Sequence, residues 1–421
     1  ERGHDVSIPH IVVEDARVAM PWAARAVFGM PDVSMQMVGV TGTNGKTTVT
    51  HMLESILISS GTPVGIIGTV GVRINGRAMA TSRTTPEATD LQRILGMMRD
   101  DAVRVVLMEV SSHAIELHRT DAISFSVMGF TNLTRDHLDF HGDMDSYFAT
   151  KKSVFVPEVS ETAVVNVDDE WGRRLNTSLE IPAQTVALTG RADLHAADLV
   201  GGTDGTTFTA VTPQGAIDIH LPLVGDFNVA NALVAIGLAR ELGVESSAIA
   251  EGLGRLAPIP GRMEAIPHDG AFTVVVDYAH TPDAIAVVLD SVRSAVSGRV
   301  MVIIGAGGDR DREKRSLMGA AAARRSDLTI ITTDNPRSED PGAIADEVRR
   351  GAEAQPGANI EMIPDRRAAI ARAVESAEPG DMVLVLGKGH EQGQDVGSAV
   401  LPFDDRLAVR DALTAAGRVP E

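Results

Sequence analysis

A chain of 421 residues is too long for one ordinary core, and two or three domains are expected. Its 44% hydrophobic and 23% charged residues are those of a globular protein, and no apolar run approaches the roughly 20 residues that span a bilayer. Thirty-eight basic against 57 acidic residues, net −19, exclude a general nucleic-acid surface, and the lack of cysteine excludes disulfides and thiol catalysis. Any anionic ligand must therefore meet locally clustered cations.

Near the start, Ile11-Val12-Val13 reads as a strand, and Asp15 to Phe28 as a helix with Val18, Trp22 and Ala26 on one face. Pro21 is expected to kink or restart that helix. Residues 1–37 are too few for a domain and read as the tail of one.

The strand-like run Met37 to Val40 leads into TGTNGKTT, Thr41 to Thr48, after which Val49, Met52, Leu53, Ile56 and Leu57 recur at helical spacing. A strand, a glycine turn and Lys-Thr at a helix start make a phosphate cradle. Backbone N–H groups and the helix dipole face the anion, the lysine adds a full charge, and the hydroxyl of Thr47 or Thr48 is suited to Mg²⁺. Val40 stands where the usual pattern has its first glycine, so Gly42 and Gly45 carry the turn instead.

From Val38 to about Leu256 strand and helix alternate. Glu87 to Arg99 is helical, Val105 to Val110 is an apolar strand broken only by Glu109, and Ser124 to Phe130 is another strand. Ala163 to Val167 adds a strand, Thr206 to Leu223 a β-like patch, and Val229 to Leu242 a helix. This pattern predicts a parallel sheet covered by helices, with ligands at the carboxyl ends of its strands. There Glu109 and His137 offer a carboxylate and an imidazole suited to a second divalent ion, while Asp139 and His141 read as surface. Tyr147 to Lys152 belongs to a helix starting near Asp143, and composition alone makes its paired lysines a solvated face.

Turn residues cluster at Pro258-Ile259-Pro260-Gly261, dividing 38–258 from 259–421. Beyond them Phe272 to Asp277 is a strand, Thr281 caps a helix and Pro282 starts it. Val300 to Gly305, Leu328 to Thr333 and Met382 to Gly387 are three further strands, ending in GAGGDRD, TDNPRSEDP and GKGHEQG. Those loops offer Arg310, Arg312, Lys314 and Arg315, then Asp334, Asn335 and Arg337, then Lys388, His390 and Glu391. Arginine suits a carboxylate and the acids suit an ammonium, so a zwitterion such as an amino acid fits; interlocking surface ion pairs are the bland alternative.

Taken together, TGTNGKTT, TTPEA at 84–88, MEVSSH, FTNLTRDHLDFHGDM, YFATK, NVDD, GDFNVANAL, PGRME, DYAHTPDA, GAGGDRD, DNPR and GKGHE resemble the Mur ligase family of ATP-dependent peptidoglycan-precursor ligases, from about Ile11 onward. The resemblance implies an α/β architecture, with a P-loop-type central domain at 38–258 and a Rossmann-like C-terminal domain at 259–421. It implies ATP and Mg²⁺ as cofactors, and transfer of an amino acid onto an acyl phosphate of UDP-N-acetylmuramoyl-L-alanyl-D-glutamate. The DNPR run resembles the form that selects meso-2,6-diaminopimelate, although the pocket charges also suit the LL isomer.

By position, the resemblance assigns Gly42, Thr43, Asn44, Gly45, Lys46, Thr47 and Thr48 to the ATP phosphates, and Asn228, Asn231, Asp277 and His280 to the nucleotide side. It assigns catalysis to Lys46, Lys151 and Arg262, and Mg²⁺ to Thr47, Glu109, His137 and Lys151, the last as a carbamylated lysine. Thr84, Thr85, Ser111 and Arg119 match the UDP-muramoyl-dipeptide positions; Arg310, Asp334, Asn335, Pro336, Arg337, Gly387 and Glu391 match the diaminopimelate pocket. Arg83 and Leu117 depart from some relatives, which have asparagine and glutamine there. Residues up to about Met35 resemble only the end of the family's uridine-binding domain, so weakened affinity for the UDP end is expected.

Folylpolyglutamate synthetases share the phosphate loop and the acyl-phosphate chemistry, but Gly-Ser usually follows their lysine and no DNPR loop is expected. A non-catalytic ATP-binding relative is the third reading. A cytoplasmic monomer working on small molecules, without nucleic-acid partners or membrane insertion, is the expected setting.

Overall fold

The structure, a computed structural model, describes residues 11–79, 83–202, 205–293 and 296–418. The first ten residues of the expected N-terminal remnant lie outside these. Two sheets organise the chain. The larger has eleven strands: β1 (Gln36–Thr41), β2 (Val64–Gly68), β3 (Gly71–Ile74), β4 (Arg77–Met79), β5 (Val105–Glu109), β6 (Phe125–Phe130), β7 (Ser160–Asn166), β8 (Ala183–Ala187), β9 (Leu194–Gly202), β10 (Gly205–Thr212) and β11 (Gly215–Leu221). Their order across the sheet is β11-β10-β9-β8-β7-β6-β1-β5-β2-β3-β4. From β9 through β8, β7, β6, β1 and β5 to β2 the pairing is parallel, and antiparallel hairpins finish both edges.

The inner strands read as continuous apolar runs because helices cover both faces. Val38, Val40, Val105 and Leu107 meet Val49, Met52, Leu53, Ile56 and Leu57 of the helix Lys46–Ser59 on one side. Met37, Val106, Met108 and Phe125 meet Leu91, Ile94, Leu95 and Met98 of the helix Ala88–Asp100 on the other. The helix Asp226–Glu241 is buried along nearly its whole length, consistent with its alanine-rich, nearly uncharged sequence.

The smaller sheet is built from β12 (Glu264–Ala265), β13 (Thr273–Asp277), β14 (Val300–Ile304), β15 (Leu328–Ile331), β16 (Ile360–Met362) and β17 (Met382–Leu386), in the order β12-β13-β17-β14-β15-β16. All but the short β12 pair in parallel. Thr281 Oγ1 caps the helix Pro282–Arg293 by accepting the Ala284 N–H at 3.2 Å, as its sequence predicts. A two-stranded hairpin, β18 (Gly393–Asp395) and β19 (Val400–Pro402), follows the last long strand. Among the described residues no helix is long and apolar enough to cross a membrane.

One expectation fails near the start. Among the described residues Ile11-Val12-Val13 forms no strand, and all three residues are exposed. The helix Ala16–Val27 runs through Pro21 and buries Pro21 and Ala24, leaving Val18, Trp22 and Ala26 exposed. A polar tie adds to this buried apolar contact: Arg99 Nη1 donates to the Phe28 carbonyl at 2.9 Å. Periodicity finds an apolar stripe but cannot say which stripe meets a neighbour.

Candidate active site

Strand order places the phosphate loop. Because β1 lies between β5 and β6, with Val40 opposite Glu109 and Thr41 opposite Phe130, the loop after Thr41 is flanked by MEVSSH and by FTNLTRDH. A Cβ on Gly42 would run into Thr131 Oγ1, and one on Gly45 into Asn231 Oδ1; both glycines also have positive φ, 146° and 88°. The glycines that depart from the usual spacing therefore sit where neighbouring chain leaves no room for a side chain. Asn132, within FTNLTRDH but given no role by the sequence, pins the loop: its carbonyl accepts the Thr43 N–H at 2.9 Å and its Oδ1 accepts the Asn44 N–H at 3.0 Å.

Two amines converge behind this loop. Lys46 Nζ donates to the carbonyls of Gly42 (2.8 Å) and Thr43 (2.9 Å), and Lys151 Nζ donates to the same Gly42 carbonyl at 2.9 Å. Burial lowers the pKa of both; for Lys151 the adjacent Lys46 adds to this and the value falls well below that of an ordinary lysine. The solvated face expected at Lys151 is therefore wrong. The helix Met144–Lys152 turns Tyr147 and Lys151, four residues apart, inward together, with the amine 4.8 Å from the tyrosine ring centroid.

Glu109 is fully buried and saturated with donors: the Thr69 N–H at 2.8 Å, the Thr69 hydroxyl at 2.7 Å and the Thr47 hydroxyl at 3.0 Å. Thr69, at the carboxyl end of β2, carries no sequence signal beyond that position. His137 sits on the opposite flank of β1 at φ 54°, 3.3 Å from Asp136 and edge-on to His113; burial holds its imidazole down to about 3. Among the described residues no three His, Asp or Glu side chains converge as a metal cluster. Thr47 and Glu109 do fit Mg²⁺, which takes one or two protein oxygens together with substrate phosphates.

The two sheets meet over the loop. Arg262 stacks on Tyr278, 4.5 Å from the ring centroid, and donates to the Thr47 hydroxyl at 3.1 Å. Beside it a cavity of about 280 Å³ is lined by Gly45, Thr48, Asn228, Asn231, Asp277 and Arg262, with Phe227, Ala279 and Val287 among its apolar walls. Polar groups toward the phosphate loop and apolar walls beyond suit a nucleoside. Asp277 accepts the N–H groups of Met263 (2.7 Å) and Ala279 (2.8 Å), and burial raises its pKa.

A second cavity, about 180 Å³, gathers Arg310, Asp334, Asn335, Arg337, Gly387 and Glu391 from three loops of the smaller sheet, together with Asp136 and His137 of the larger. His280 lines this cavity and not the first, 3.8 Å from Asp136. Pro336 faces a different hollow behind its loop. Lys314 reaches Asp136 at 3.4 Å, and Arg135 reaches Asp311 at 3.3 Å and Glu313 at 2.8 Å, so ion pairs join the two halves. Although burial pushes the Asp136 carboxyl up, His280, His137 and Lys314 hold it well below the usual range.

Of the expected dipeptide contacts, Thr84 lines a groove that also reaches Asn335 and Glu391. Thr85 and Arg119 are buried and tied inward: Thr85 Oγ1 donates to the Glu109 carbonyl at 2.8 Å, and Arg119 Nη1 to the Thr85 carbonyl at 3.2 Å. Ser111 caps the short helix after β5 by accepting the Ala114 N–H at 3.2 Å.

A phosphate loop closed over by a second parallel sheet, with a mixed-charge cavity between them, defines a nucleotide-dependent ligase that delivers an amino acid. The chain belongs to the Mur ligase family. The Mur ligase middle domain matches residues 40–239, and the Mur ligase, glutamate ligase domain matches residues 261–389. The UDP-N-acetylmuramoyl-L-alanyl-D-glutamate--2,6-diaminopimelate ligase of Streptomyces coelicolor is 44% identical over 419 residues, covering 98% of this chain and 83% of that one. Among solved structures, a ligase of the same description aligns at TM-score 0.67 and 34% identity, covering 97% of this chain and 84% of that one. Mycobacterium tuberculosis folylpolyglutamate synthase, at 18% identity and TM-score 0.75 with 97% and 96% of the two chains covered, shares the fold.

Proposed function

We propose that this chain is an ADP-forming ligase that joins meso-2,6-diaminopimelate to UDP-N-acetylmuramoyl-L-alanyl-D-glutamate, working as a cytoplasmic monomer in peptidoglycan precursor synthesis. The observation that carries the reading is the meeting of the phosphate loop with the mixed-charge cavity, where Arg262 touches Thr47 and Lys314 touches Asp136. On this reading residues 38–258 form the ATP-binding domain and 259–421 the amino-acid-binding domain.

A carboxylate oxygen of the D-glutamyl residue attacks the terminal phosphorus of ATP, and ADP leaves. The amine of the incoming amino acid then attacks the acyl carbon, loses a proton, and inorganic phosphate departs. Carboxylate and triphosphate repel one another, so the step needs cations already in place. Lys46 and Arg262 supply two; Lys46 exchanges its loop carbonyls for phosphate oxygens at little cost, because both are hydrogen-bond acceptors. Bound Mg²⁺ would neutralise further phosphate charge, with Thr47 and Glu109 as holders.

Lys151 gains a task from its depressed basicity. A neutral amine adds CO₂: the nitrogen–carbon bond forms, one proton is released, and the neutral amine becomes an anionic carbamate. That anion, with Glu109 and His137, would hold a second Mg²⁺. The Asn335 amide and Arg337 meet the substrate's distal carboxylate, and Glu391 its ammonium.

Product analysis tests the reading, using the UDP-muramoyl-dipeptide, ATP and a panel of meso- and LL-diaminopimelate, lysine and ornithine. The expected result is a single amide product with meso-diaminopimelate and ADP release dependent on both substrates. ATP hydrolysis indifferent to the panel would sink it.

A further inference from the structure

Lys388 lies in the GKGHE loop between two assigned residues and has no assigned role. Its side chain is completely buried, between Gly387 and Gly389 at φ 115° and 52°. Nζ donates to Asn335 Oδ1 and to Glu391 Oε2, each at 2.9 Å. Asn335 Nδ2 donates to that same Oε2 at 2.8 Å, and the Asp395 N–H meets Asn335 Oδ1 at 2.9 Å. An ammonium and a backbone N–H are pure donors, so the amide of Asn335 has one possible orientation. Its nitrogen faces Glu391, with one N–H left for a ligand.

The charge balance has the same origin. Among the described residues the cavity is lined by four carboxylates, Asp136, Asp139, Asp334 and Glu391, against three cations, Arg310, Lys314 and Arg337. Lys388, bonded to Glu391 from beneath, is the fourth cation and brings the count level. A balanced cavity suits a ligand end bearing one ammonium and one carboxylate. With one cation fewer, it would suit a lone ammonium better.

We propose that Lys388 is a positioning residue that sets specificity: by cancelling the charge of Glu391 and fixing the amide of Asn335, it makes the cavity select a zwitterionic amino-acid end over a simple amine. The proposal rests on reading this cavity as the diamino-acid site.

The test is steady-state kinetics of the full chain and of Lys388→Met and Lys388→Gln, with meso-diaminopimelate, L-lysine and ATP each varied. The expected result for Lys388→Met is a KM for diaminopimelate raised roughly thirtyfold, with the KM for ATP within about twofold of wild type. The kcat/KM preference for diaminopimelate over lysine should fall by about tenfold or more. Lys388→Gln keeps a donor to Asn335 without the charge, so the preference should fall while the KM rises less. If Lys388→Met does not fold, Lys388→Gln decides. A wild-type preference in the folded variants would overturn the proposal, as would equal rises in the ATP and diaminopimelate KM values, which mark a merely structural lysine. A wild-type chain that uses no diamino acid would instead bring down the reading of the cavity itself.

Discussion

The two halves of the site handle buried charge in opposite ways. In the larger sheet, half-buried Lys46 and buried Lys151 bond backbone carbonyls, and among the described residues neither is in an ion pair; desolvation depresses both amines. In the smaller sheet every buried cation near the cavity has a carboxylate. Lys388 holds Glu391 at 2.9 Å, Arg315 holds Glu339 at 2.6 Å and Glu347 at 2.9 Å, and Arg366 holds Asp405 at 2.7 Å. Burial works against the Arg366 charge, yet Asp405 holds the guanidinium above its ordinary value. The difference follows the ligand. On the proposed function, a triphosphate brings its own negative charge, so the two lysines behind the loop need no carboxylate partner; a zwitterion brings none in net, which suits a cavity whose charges are already balanced.

The sharpest way to break this contrast is to remove one cation from each half. Arg366→Met leaves Asp405 buried and alone, and should cost about 3–5 kcal/mol in urea unfolding, most of it recovered by adding Asp405→Leu. Lys46→Met should cost no stability while lowering ADP release by roughly 10²–10³-fold. Equal destabilisation by the two substitutions would mean that the halves do not differ.

Arg337 sharpens the comparison on the ligand side. It donates to the Gly308 carbonyl at 2.6 Å and lies 3.7 Å from Asp395, a loose pairing that leaves donors for a substrate. Arg337→Ala should raise the diaminopimelate KM by roughly tenfold to a hundredfold, the value of a charge-assisted hydrogen bond, and leave the ATP KM unchanged. An unchanged preference over lysine would remove Arg337 from the selector.

Acid should act first where the larger sheet meets the smaller. Burial holds His51 and His137 down to about 3 and His390 down to about 4. Below an unfolded value near 6.5 the unfolded chain binds protons that these imidazoles refuse, so their contribution to stability is complete above pH 6.5 and is lost as pH falls toward 4 and then 3. Tm should therefore decline from pH 6.5 downward, with a shallower slope in His51→Gln. The smallest effect belongs to the exposed side of the junction. Arg135→Ala should change stability by about 1 kcal/mol or less, and less again at high salt, as expected of its partly exposed pairs with Asp311 and Glu313.

Much of the site is legible in the residues themselves. TGTNGKTT announces a phosphate loop because backbone geometry, a helix start and one lysine are local properties, and Thr281-Pro282 announces a helix start for the same reason. DNPR and GKGHE advertise mixed charge at strand ends. Lys151 is not legible, because whether a helix face turns inward depends on which neighbour covers it. For the same reason periodicity puts Val18, Trp22 and Ala26 on one face but cannot say that this face is the exposed one.

The sequence by itself determined the elements, the alternation that makes two parallel sheets, and the loop chemistry, since each is encoded within a few residues by propensity, periodicity and turn type. Only the tertiary structure decided which loops meet. Strand order set β1 between Glu109 and Asn132, brought Lys151 to the same carbonyl as Lys46, and placed His280 on the mixed-charge cavity and not on the one beside the phosphate loop. Burial and charge pairing arise from those long-range contacts, and they make one buried lysine a weak base and another a fixed counter-ion.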